Sequence, residues 1–585
     1  MEYLPFTPKT VHTHGSDLME CGLFRTLPEE YKKFISKTEN QHVLSYMHMI
    51  PLEKIGVPTF YSTLTRDLRK LNHPNLLYPV GNGISIHVFP DEEDIRDYYI
   101  PVEPILFQEI DDLLLEVEEL LVDLVNMLEI KTDDLDERKK LLEEVLKRIC
   151  VIKDGEKQGT KLGFLSRLLG KLKNILKTKK YRVVNVTSEE YRAIRYLILR
   201  DKVGMGVLES LLLDPYIEDI TCSGLGQIFV EHKIFSGLKT TISFKEISDL
   251  DSFVIRLSEK IGKPITYRNP IVDATLPDGS RINIVFGEDI SRRGSNFTIR
   301  KFAGTPMSIL ELLELGTLDY TIAAYLWILI KEGMNCFVAG ETASGKTTTL
   351  NAITTFLPPD GKVVSIEDTP ELQVPLKNWT REATRSSRDD SGSEVSMFDL
   401  LKAALRQRPN EIIIGEIRGV EGNIAFQAMQ TGHPVMSTFH AASVEKLIQR
   451  LTGDPINVPR AYIDNLNLVI CQNAVHLPEK GMLRRVTSIN EIVGYDPLSQ
   501  SYTFIEVFRW EPSTDTFSFT GNLNSYLLEN KIAPKWGIPD NERRKVYTEL
   551  QKREKILRKL HKAGIKGFHE LFSMIVRLGE EGLTK

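Results

Sequence analysis

The sequence lacks the features that would place the chain in several large classes of protein. It has five cysteines among 585 residues, scattered and without a CxxC pair, which argues against a zinc module and fits a reducing compartment. Its best apolar run, IAAYLWILI at residues 322–330, falls far short of the ~20 residues of a membrane span. The N-terminal MEYLPFTPKTVHTHG shows no charged-then-apolar signal peptide. We therefore expect a cytoplasmic protein that contacts a membrane only peripherally.

A surplus of positive charge is also missing. The net charge is −6, and charged residues make up 26% of the chain, an ordinary soluble composition. A general nucleic-acid binder usually carries the opposite sign of charge. We therefore expect no nucleic acid among the partners, and the length allows roughly three to four domains.

The residue pattern divides the chain into five consecutive regions. Residues 1–108 are rich in Pro, His and aromatics, show no clear period, and are predicted to be loop-rich. Residues 109–181 are predicted to be helical and begin with two acidic amphipathic helices. Residues 182–305 combine a helix with short strands, which predicts an α+β domain. Residues 306–500 form an α/β core, and residues 501–585 are predicted to be largely helical because of their mixed charges.

A basic amphipathic stretch begins at Lys161 and ends at Lys180. Its polar positions are basic and include no acidic residue, and its apolar residues share one helical face. Those apolar residues are Leu165, Leu168, Leu169, Leu172, Ile175 and Leu176. Such a helix can lie on an anionic membrane surface or dock in a partner's groove, or it can pack on the acidic helices before it. The sequence leaves these possibilities open.

Strands and helices alternate between residue 334 and about residue 451. The runs NCFVAG, KVVSIED, EIIIGE and VMSTFHA have the composition of short buried strands, and MFDLLKAALRQ and NIAFQAMQTG that of helices. This alternation predicts a parallel sheet covered by helices on both faces. The predicted fold class is thus α/β, preceded by the α+β region and by the helical and loop-rich N-terminal extension.

The run GETASGKT at residues 340–347 fits the phosphate-loop pattern GxxxxGK[ST]. It follows a predicted strand and opens a predicted helix, so backbone N–H groups and the positive end of the helix can surround phosphates. Lys346 can reach the β- and γ-phosphates, and Thr347 can offer its hydroxyl to Mg²⁺. The residues predicted to contact the nucleotide are Gly340, Glu341, Thr342, Ala343, Ser344, Gly345, Lys346, Thr347 and Thr348.

Charged side chains follow or surround the predicted strands of the same region. Glu367 follows VVSI and Glu416 follows IIIG, at the strand ends where open α/β sheets bind ligands. A carboxylate there can hold a metal-bound water or orient the attacking water, or it can simply face solvent. His433 and His440 flank the VMSTF run and are candidates for either a functional or a structural role. Guanidinium groups suit phosphate, although most arginines here are expected to be ordinary ion-pair partners. These arginines are Arg381, Arg385, Arg388, Arg406, Arg408 and Arg418.

With these residues placed, the chain resembles the secretion-superfamily ATPases, the hexameric motors of type II secretion, type IV pili and conjugative type IV secretion. The likeness covers about residues 190–490. GETASGKTTT corresponds to the Walker A loop, SIEDTPEL resembles the acidic Asp box, LRQRPNEIIIGEIRG the atypical Walker B motif, and TGHPVMSTFHA the His box. The residues of these motifs, together with NWTREATR after the Asp box, look closest to the archaeal branch and, within it, to the archaellum motor ATPase. The tetracysteine module of many bacterial members is missing, and the first 180 residues lie outside the likeness.

The resemblance implies a RecA-like core, ATP and Mg²⁺ as cofactors, and assembly into a six-membered ring. It also implies that Glu367 is the general base and that Glu416 acts through Mg²⁺. Further candidates for catalysis or nucleotide contact, from the same or a neighbouring subunit, are Lys346, His433, His440, Arg381, Arg385, Arg281 and Arg300.

The function expected from the resemblance is that of a cytoplasmic ring motor at the inner face of the cell membrane. Such a motor passes ATP-driven domain closure to a polytopic membrane platform protein, and so assembles or rotates a type IV pilin-like filament such as the archaellum. One alternative is a pilus-assembly or type II secretion ATPase, and another is a conjugative DNA-transfer ATPase. A small-molecule kinase is disfavoured because the chain is far longer than a kinase needs and no acceptor-binding domain is apparent.

Overall fold

The computed structural model describes residues 4–9, 18–105, 110–128, 135–152, 183–302, 304–385, 394–477 and 481–582. The chain forms two compact units, Met1–Phe302 and Ala303–Lys585. This division is coarser than the five regions expected from the sequence, whose boundaries stay a prediction.

The first unit combines helices with one large sheet. Its α-helices, numbered α1 to α9, are Gly22–Thr26, Glu29–Ile35, His42–Met49, Leu52–Ile55, Asp111–Leu128, Leu135–Ile149, Ser188–Lys202, Glu209–Leu213 and Ile247–Lys260. Its strands, numbered β1 to β12, are Thr59–Phe60, Leu76–Gly81, Ile84–Phe89, Tyr98–Val102, Cys150–Ile152, Val184–Val186, Ile217–Cys222, Gly226–His232, Ser236–Phe244, Ile271–Thr275, Arg281–Val285 and Asn296–Arg300.

The sheet of the first unit has ten strands in the order β1-β2-β3-β4-β9-β8-β7-β12-β11-β10. The N-terminal strands join the α+β region because β4 pairs in parallel with β9, Tyr98 opposite Lys239 and Tyr99 opposite Thr240. The prediction that residues 1–108 are loop-rich is therefore wrong, since helices α1–α4 and strands β1–β4 lie there. Every residue of β3 is buried, yet its sequence ISIHVF alternates apolar Ile84, Ile86 and Val88 with polar Ser85 and His87, which is the period of two of a strand.

Buried polar contacts fasten the N-terminal strands to the rest of this unit. The hydroxyl groups of Tyr78 and Tyr99 both donate to Asp214 Oδ2, at 2.6 and 2.8 Å. Asp214 is fully buried and lies between α8 and β7. These hydrogen bonds satisfy a carboxylate that would otherwise be costly to bury.

Helices α5, α6 and α7 pack together beside the two-stranded β5–β6 sheet. Their shared core includes Val117, Leu121, Val145 and Ile194. The two acidic amphipathic helices expected from the sequence correspond to α5 and α6, which each bury one apolar face here. The basic stretch that begins at Lys161 lies outside the described residues.

The second unit alternates strands and helices before a helical C-terminal part. Its α-helices, numbered α10 to α18, are Ile309–Glu314, Tyr320–Lys331, Lys346–Ile353, Met397–Arg406, Glu421–Gln430, Val444–Thr452, Ala533–Lys535, Val546–Lys562 and Phe568–Glu580. Its strands, numbered β13 to β21, are Cys336–Ala339, Val363–Glu367, Trp379–Ala383, Glu411–Glu416, Val435–Phe439, Leu468–Leu477, Gly481–Asp496, Ser501–Glu511 and Thr516–Ser518.

The nine strands of the second sheet have the order β15-β14-β16-β17-β13-β18-β19-β20-β21. The first six run parallel, including the four strands predicted from the sequence. Alternate residues of β13 enter two different cores, because successive side chains point to opposite faces of a sheet. Val338 packs with α11 and α12, whereas Phe337 packs with α13 and α14. The predicted α/β fold, with a parallel sheet covered on both faces, is confirmed.

The remaining strands continue this sheet as antiparallel hairpins. The prediction that residues 501–585 are largely helical holds for their later part only, because β20 and β21 occupy the beginning. Strand β20 lies near the edge of the sheet. It carries Glu506 and Arg509 on a side that is open to solvent, and these charged residues interrupt its apolar pattern.

Helix α11 accounts for the best apolar run in the chain. Its residues from Ile322 to Ile330 are all buried in the core of the second unit. Among the described helices, none combines the length and the apolar character needed to cross a membrane.

Candidate functional site

The loop of residues 340–347, which we call the glycine loop, joins the end of β13 to the start of α12. Gly345 is the N-cap residue of α12 and has φ +93°, a left-handed conformation that glycine adopts without strain. At Gly340, a Cβ atom would lie 2.1 Å from the carbonyl oxygen of Gln472, so only glycine fits. The predicted strand–loop–helix arrangement is therefore present. It opens at what we call the carboxyl edge, where the parallel strands of the second unit end.

Side chains of the glycine loop reach the ends of neighbouring strands. Lys346 Nζ donates to the carbonyl oxygen of Glu341 at 2.8 Å. Burial lowers the pKa of Lys346, and the carboxylate of Glu416 at the end of β16 opposes that shift. Thr342 Oγ1 lies 3.0 Å from Nε2 of His440, which follows β17. The loop thus shares one local environment with the ends of β16 and β17.

Three further residues of this segment differ in their exposure. Thr347 and Thr348 lie in the first turn of α12 and are half-buried. Ser344 is buried, and its Oγ has no hydrogen-bond partner within the described part of the chain. A buried hydroxyl without a partner is costly, so this position favours a ligand or water that would complete it.

Glu367 is the last residue of β14 at the carboxyl edge, and only 2% of it is exposed. Its Oε1 accepts hydrogen bonds from the backbone N–H groups of Glu371 and Leu372, both at 2.8 Å. Its Oε2 is buried without a hydrogen-bond partner among the described residues, and Nε of Arg381 lies 3.7 Å from it. Burial raises the pKa of Glu367 to about 7. One oxygen is therefore fixed by the backbone, while the other is oriented but unsatisfied near neutral pH.

Glu416 is the last residue of β16, the strand between β14 and β17. Its Oε2 accepts a hydrogen bond from Nε of Arg418 at 2.9 Å. The Glu416 side chain is 23% exposed, so water and ions can reach the carboxylate. Glu416 is therefore a solvated, ion-paired carboxylate beside the loop lysine.

Of the two arginines predicted after the Asp box, the structure brings one to the site. Arg381 lies on β15, next to β14, with its guanidinium 5.5 Å from the centre of the Trp379 ring and its Nε near Glu367. Arg385 lies just beyond β15, is exposed, and pairs through its backbone with Val395. Arg385 therefore stands further from the buried carboxylate than Arg381 does.

Arg281 and Arg300 belong to the first unit. They are directly opposite each other on the antiparallel strands β11 and β12, so their side chains share one face of that sheet. Both are exposed. On its other side, Arg300 lies opposite Asp219 of β7, whose carboxylate partly balances the charge of the two arginines.

The two predicted histidines occupy opposite edges of the sheet. His440 follows β17 at the carboxyl edge and contacts the glycine loop. His433 precedes β17, where its Nδ1 lies 3.1 Å from Thr431 Oγ1. A strand of five residues separates them, about 16 Å at the usual rise per residue. His433 therefore lies away from the carboxyl edge, and its predicted catalytic role stays a prediction.

Sequence reasoning missed two side chains that contact the glycine loop. Gln472 Nε2 donates to the carbonyl oxygen of Ser344 at 2.9 Å, and Arg484 Nε donates to that of Ala343 at 3.0 Å. They lie 128 and 141 residues further along the chain than the loop residues they contact. No local motif marks them, because their position depends on how β18 and β19 pair with the rest of the sheet.

The residues at the carboxyl edge fit a magnesium-bound triphosphate. The glycine loop has the backbone shape of a phosphate cradle, and Ser344 Oγ and Glu367 Oε2 are buried polar atoms that lack partners among the described residues. Mg²⁺ prefers oxygen ligands and usually takes one or two from the protein together with substrate phosphates. The hydroxyl of Thr347 and the carboxylate of Glu416 are such ligands. The described ranges contain no group of three or more His, Cys, Asp or Glu residues that could hold a metal ion.

Fold and site together define a class of parallel-sheet proteins in which a glycine loop and strand-end carboxylates share one edge. A family model described as "Type II/IV secretion system protein" matches residues 201–486. Uncharacterized protein MJ0900 of Methanocaldococcus jannaschii is 43% identical over 546 residues, covering 93% of this chain and 96% of that protein. The type IV secretion system protein VirB11 of Bartonella quintana is 28% identical over 42% of this chain and 78% of its own. A crystal structure of the pilus retraction motor PilT with bound ADP covers 50% of this chain and 84% of its own, at 18% identity and a TM-score of 0.36.

The chain belongs to the type II/IV secretion system protein family. The resemblance seen in the motifs is thereby confirmed at the level of the family. Its similarity to an archaeal protein over nearly the whole length agrees with the archaeal branch.

Proposed function

We propose that the chain is an ATPase of the secretion type. One observation carries this proposal: the glycine loop, Glu416 and Glu367 follow or end three strands of one parallel sheet at the same edge. Open α/β sheets bind ligands at this edge. A triphosphate hydrolase needs a phosphate cradle, a metal ligand and a base for water, and these three positions supply them.

Lys346, Thr347 and Glu416 hold the nucleotide and its ion. Lys346 binds the β- and γ-phosphates in place of its present partner, the carbonyl oxygen of Glu341. Thr347 and Glu416 would hold the Mg²⁺ ion through their oxygen atoms. When bound, the ion neutralises charge that develops on the transferring phosphoryl group.

Glu367 takes the proton of the attacking water. A general base works best when its pKa lies near the working pH, and burial raises the pKa of Glu367 to about 7. The two backbone N–H groups on Oε1 fix the carboxylate plane and leave Oε2, which is buried without a hydrogen-bond partner among the described residues, to accept the proton. Arg381 stabilises the ionised form from 3.7 Å.

Arginines complete the charge balance around the phosphates. Arg281 and Arg300 lie opposite each other on β11 and β12 and are candidates for nucleotide contact from the same or a neighbouring subunit. Arg385 lies at the exposed end of the Asp-box segment and is a further candidate for contact across a subunit boundary. An arginine supplied in trans can stabilise the charge of the transition state of phosphoryl transfer.

The protein acts, in this proposal, as a hexameric cytoplasmic motor at the inner face of the cell membrane. It works on a polytopic membrane platform protein and drives assembly or rotation of a type IV pilin-like filament, and its motifs favour the archaellum. A pilus-assembly or type II secretion motor is the alternative within the same family. The basic stretch from Lys161 to Lys180 is the candidate contact with anionic lipid.

Replacing the loop lysine tests the enzymatic part of the proposal. Lys346→Ala is expected to lower kcat/KM for ATP at least about a hundredfold, because the main cation on the β- and γ-phosphates is lost. The measurement is phosphate release by the full-length protein in Mg²⁺. Lys377→Ala, which removes an exposed lysine outside the loop, is the matched control and should hydrolyse ATP normally. Retained turnover in the Lys346 variant would rule out this site.

Loss of the gene tests the partner. Cells that lack the protein are expected to lose a surface filament visible by electron microscopy, and loss of swimming would point to an archaellum, whereas loss of attachment alone would point to a pilus. A filter-binding assay with single-stranded DNA tests the alternative of a DNA-transfer ATPase. Tight and salt-sensitive DNA binding would favour a DNA-transfer ATPase and contradict the filament proposal.

A further inference from the structure

The glycine loop is held on one side by the hairpin of β18 and β19. The pairing of these strands shifts register between Cys471 and Gln472, so that Gln472 lies opposite Val486 while Cys471 lies opposite Ser488. A bulge of this kind turns a side chain away from its regular direction and is frequent beside active sites. The shift accompanies the approach of Gln472 to the loop, where its side chain is buried.

Two carbonyl groups of the loop point towards this hairpin. The carbonyl oxygen of Ala343 accepts from Arg484, and that of Ser344 accepts from Gln472. In a trans peptide the N–H group points opposite to the carbonyl group. The N–H groups of Ser344 and Gly345 are therefore directed away from the hairpin, towards the side where phosphates would lie. The N–H of Ser344 makes only a long hydrogen bond, 3.4 Å, to the carbonyl oxygen of Glu341.

Gln472 also ties the loop to the helix that follows it. Its Oε1 accepts a hydrogen bond from Oγ1 of Thr349 at 2.6 Å, while its Nε2 donates to Ser344. One buried side-chain amide thus fixes the loop relative to α12. Its backbone carbonyl oxygen also lies against Gly340, at the start of the loop.

The hairpin itself is anchored beside the contact. Arg485, the neighbour of Arg484, is buried and makes two hydrogen bonds to the carboxylate of Asp515, at 2.8 and 3.0 Å. It also donates to the carbonyl oxygen of Leu315 at 3.0 Å. Paired guanidinium–carboxylate hydrogen bonds fix geometry strongly, so Arg484 extends from a rigid base.

We propose that Gln472 and Arg484 are positioning residues that preset the peptide groups of Ala343, Ser344 and Gly345 for phosphate binding. Without them, the loop would have to order these groups when nucleotide binds, and the cost of that ordering would weaken binding. The bound phosphates themselves then hold the loop, so the rate of the chemical step depends less on the hairpin. This inference rests on the proposed function, since it concerns the same nucleotide.

Arg484→Ala tests the inference without disturbing the core, because Arg484 is exposed. The dissociation constant of a fluorescent ATP analogue and the KM for ATP are expected to rise about tenfold, with kcat within about twofold of the normal value. Arg484→Lys, which can still donate one hydrogen bond to Ala343, should recover part of the affinity. In the protein without nucleotide, amide hydrogen exchange in residues 343–345 should become faster in the alanine variant.

Two further variants separate positioning from stability. Arg509→Ala removes an exposed arginine of the neighbouring strand β20 whose carboxylate partner is Glu506, and it should leave KM and hydrogen exchange unchanged. Gln472→Leu is expected to weaken nucleotide binding more than Arg484→Ala, and thermal unfolding without nucleotide shows whether it still folds.

The outcomes are distinguishable from those of the proposed function. If the unaltered protein hydrolyses ATP and Arg484→Ala has the same KM and the same loop exchange, the positioning role is overturned while the ATPase proposal stands. A fall in kcat at unchanged affinity would also overturn it, because Arg484 would then act on the reacting groups. If the unaltered protein does not hydrolyse ATP, the proposed function fails first.

Discussion

Glu367 and Glu416 end neighbouring strands of one sheet, yet they occupy opposite environments. Glu367 is 2% exposed and keeps one oxygen without a hydrogen bond among the described residues, whereas Glu416 is 23% exposed at its side chain and is paired with Arg418. Burial raises the pKa of Glu367 to about 7. The same residue type at the same edge is thereby suited to two tasks, proton acceptance at one strand end and ion binding at the next.

The difference in environment is more informative than the shared position. Both glutamates follow apolar runs in the sequence, and either could have been assigned either role from that pattern. Arg381 approaches the buried carboxylate from β15, while Arg418 holds the open one from the following loop. Substitutions at these positions can show whether the two carboxylates have separate tasks.

Glu367→Gln is expected to have the largest effect. Turnover should fall by about a thousandfold, the usual contribution of a general base, while ATP binding is retained. The glutamine carbonyl can still accept the two backbone hydrogen bonds that fix Oε1, so the local structure should persist. Single-turnover kinetics measure the rate of hydrolysis, and equilibrium binding of an ATP analogue measures the affinity. A variant that cannot bind ATP would show that Glu367 is a binding residue instead.

The same substitution is expected to stabilise the second unit at high pH. The folded pKa of Glu367, about 7, lies above the ordinary value of 4.5, so the folded state binds the proton more tightly than the unfolded state. Stability of the unaltered protein therefore falls as pH rises from 4.5 to 7. Glutamine does not ionise, so the variant without nucleotide should be more stable by about 3 kcal/mol at pH ~8 and equally stable near pH ~4.5.

Tryptophan fluorescence during urea unfolding is suited to this measurement. The four tryptophans, Trp327, Trp379, Trp510 and Trp536, all lie in the second unit, so the signal does not report on the first. A stability difference that is the same at mildly acidic and mildly alkaline pH would contradict the raised pKa.

Glu416→Gln is expected to act through the ion and with a smaller effect. The kcat/KM for ATP should fall on the order of tenfold at low Mg²⁺, because one anionic ligand is lost while the phosphates still bind the ion. Raising the Mg²⁺ concentration should restore part of the activity. The same titration should not rescue Glu367→Gln. If Mg²⁺ restored the activity of both variants equally, Glu367 and Glu416 would not have separate roles.

Arg381→Gln should give the smallest effect, visible in the pH profile. In the unaltered protein, kcat should rise with pH through about 7 as Glu367 loses its proton. Arg381 lowers the pKa of Glu367, opposing the larger effect of burial. Its removal should therefore move the midpoint upward by less than about one unit. Lys377→Gln is the matched control for charge loss near β15, because Lys377 is exposed just before that strand, and an equal shift in both variants would contradict a specific contact.

The sequence predicted the central fold of the second unit well because its strands are short, apolar and separated by clear helices. NCFVAG, KVVSIED, EIIIGE and VMSTFHA became β13, β14, β16 and β17. The positions of Lys346, Glu367 and Glu416 follow from this, since the carboxyl ends of parallel strands meet at one edge. Local patterns were sufficient wherever function depends on the end of a strand.

Long-range pairing explains what the sequence could not predict. Strand β3 carries the alternation of a strand in ISIHVF, but β4 finds its partner in β9 far along the chain, and no local pattern shows that pairing. Gln472 and Arg484 reach the glycine loop because β18 pairs with β13 and β19 pairs with β18, and no spacing of residues reveals these pairings. His433 and His440 are close in sequence but stand at opposite ends of β17, because a strand of five residues separates them.

The joint between β4 and β9 makes the N-terminal strands inseparable from the rest of the first unit. A chain shortened to begin at residue 183 would expose the hydrogen-bonding groups of β9 as a new sheet edge, the kind of surface on which protein chains aggregate. It would also lose both tyrosine donors to Asp214. The first unit therefore needs the beginning of the chain to keep its sheet intact, even though that part lies outside the residues 201–486 that the family model matches.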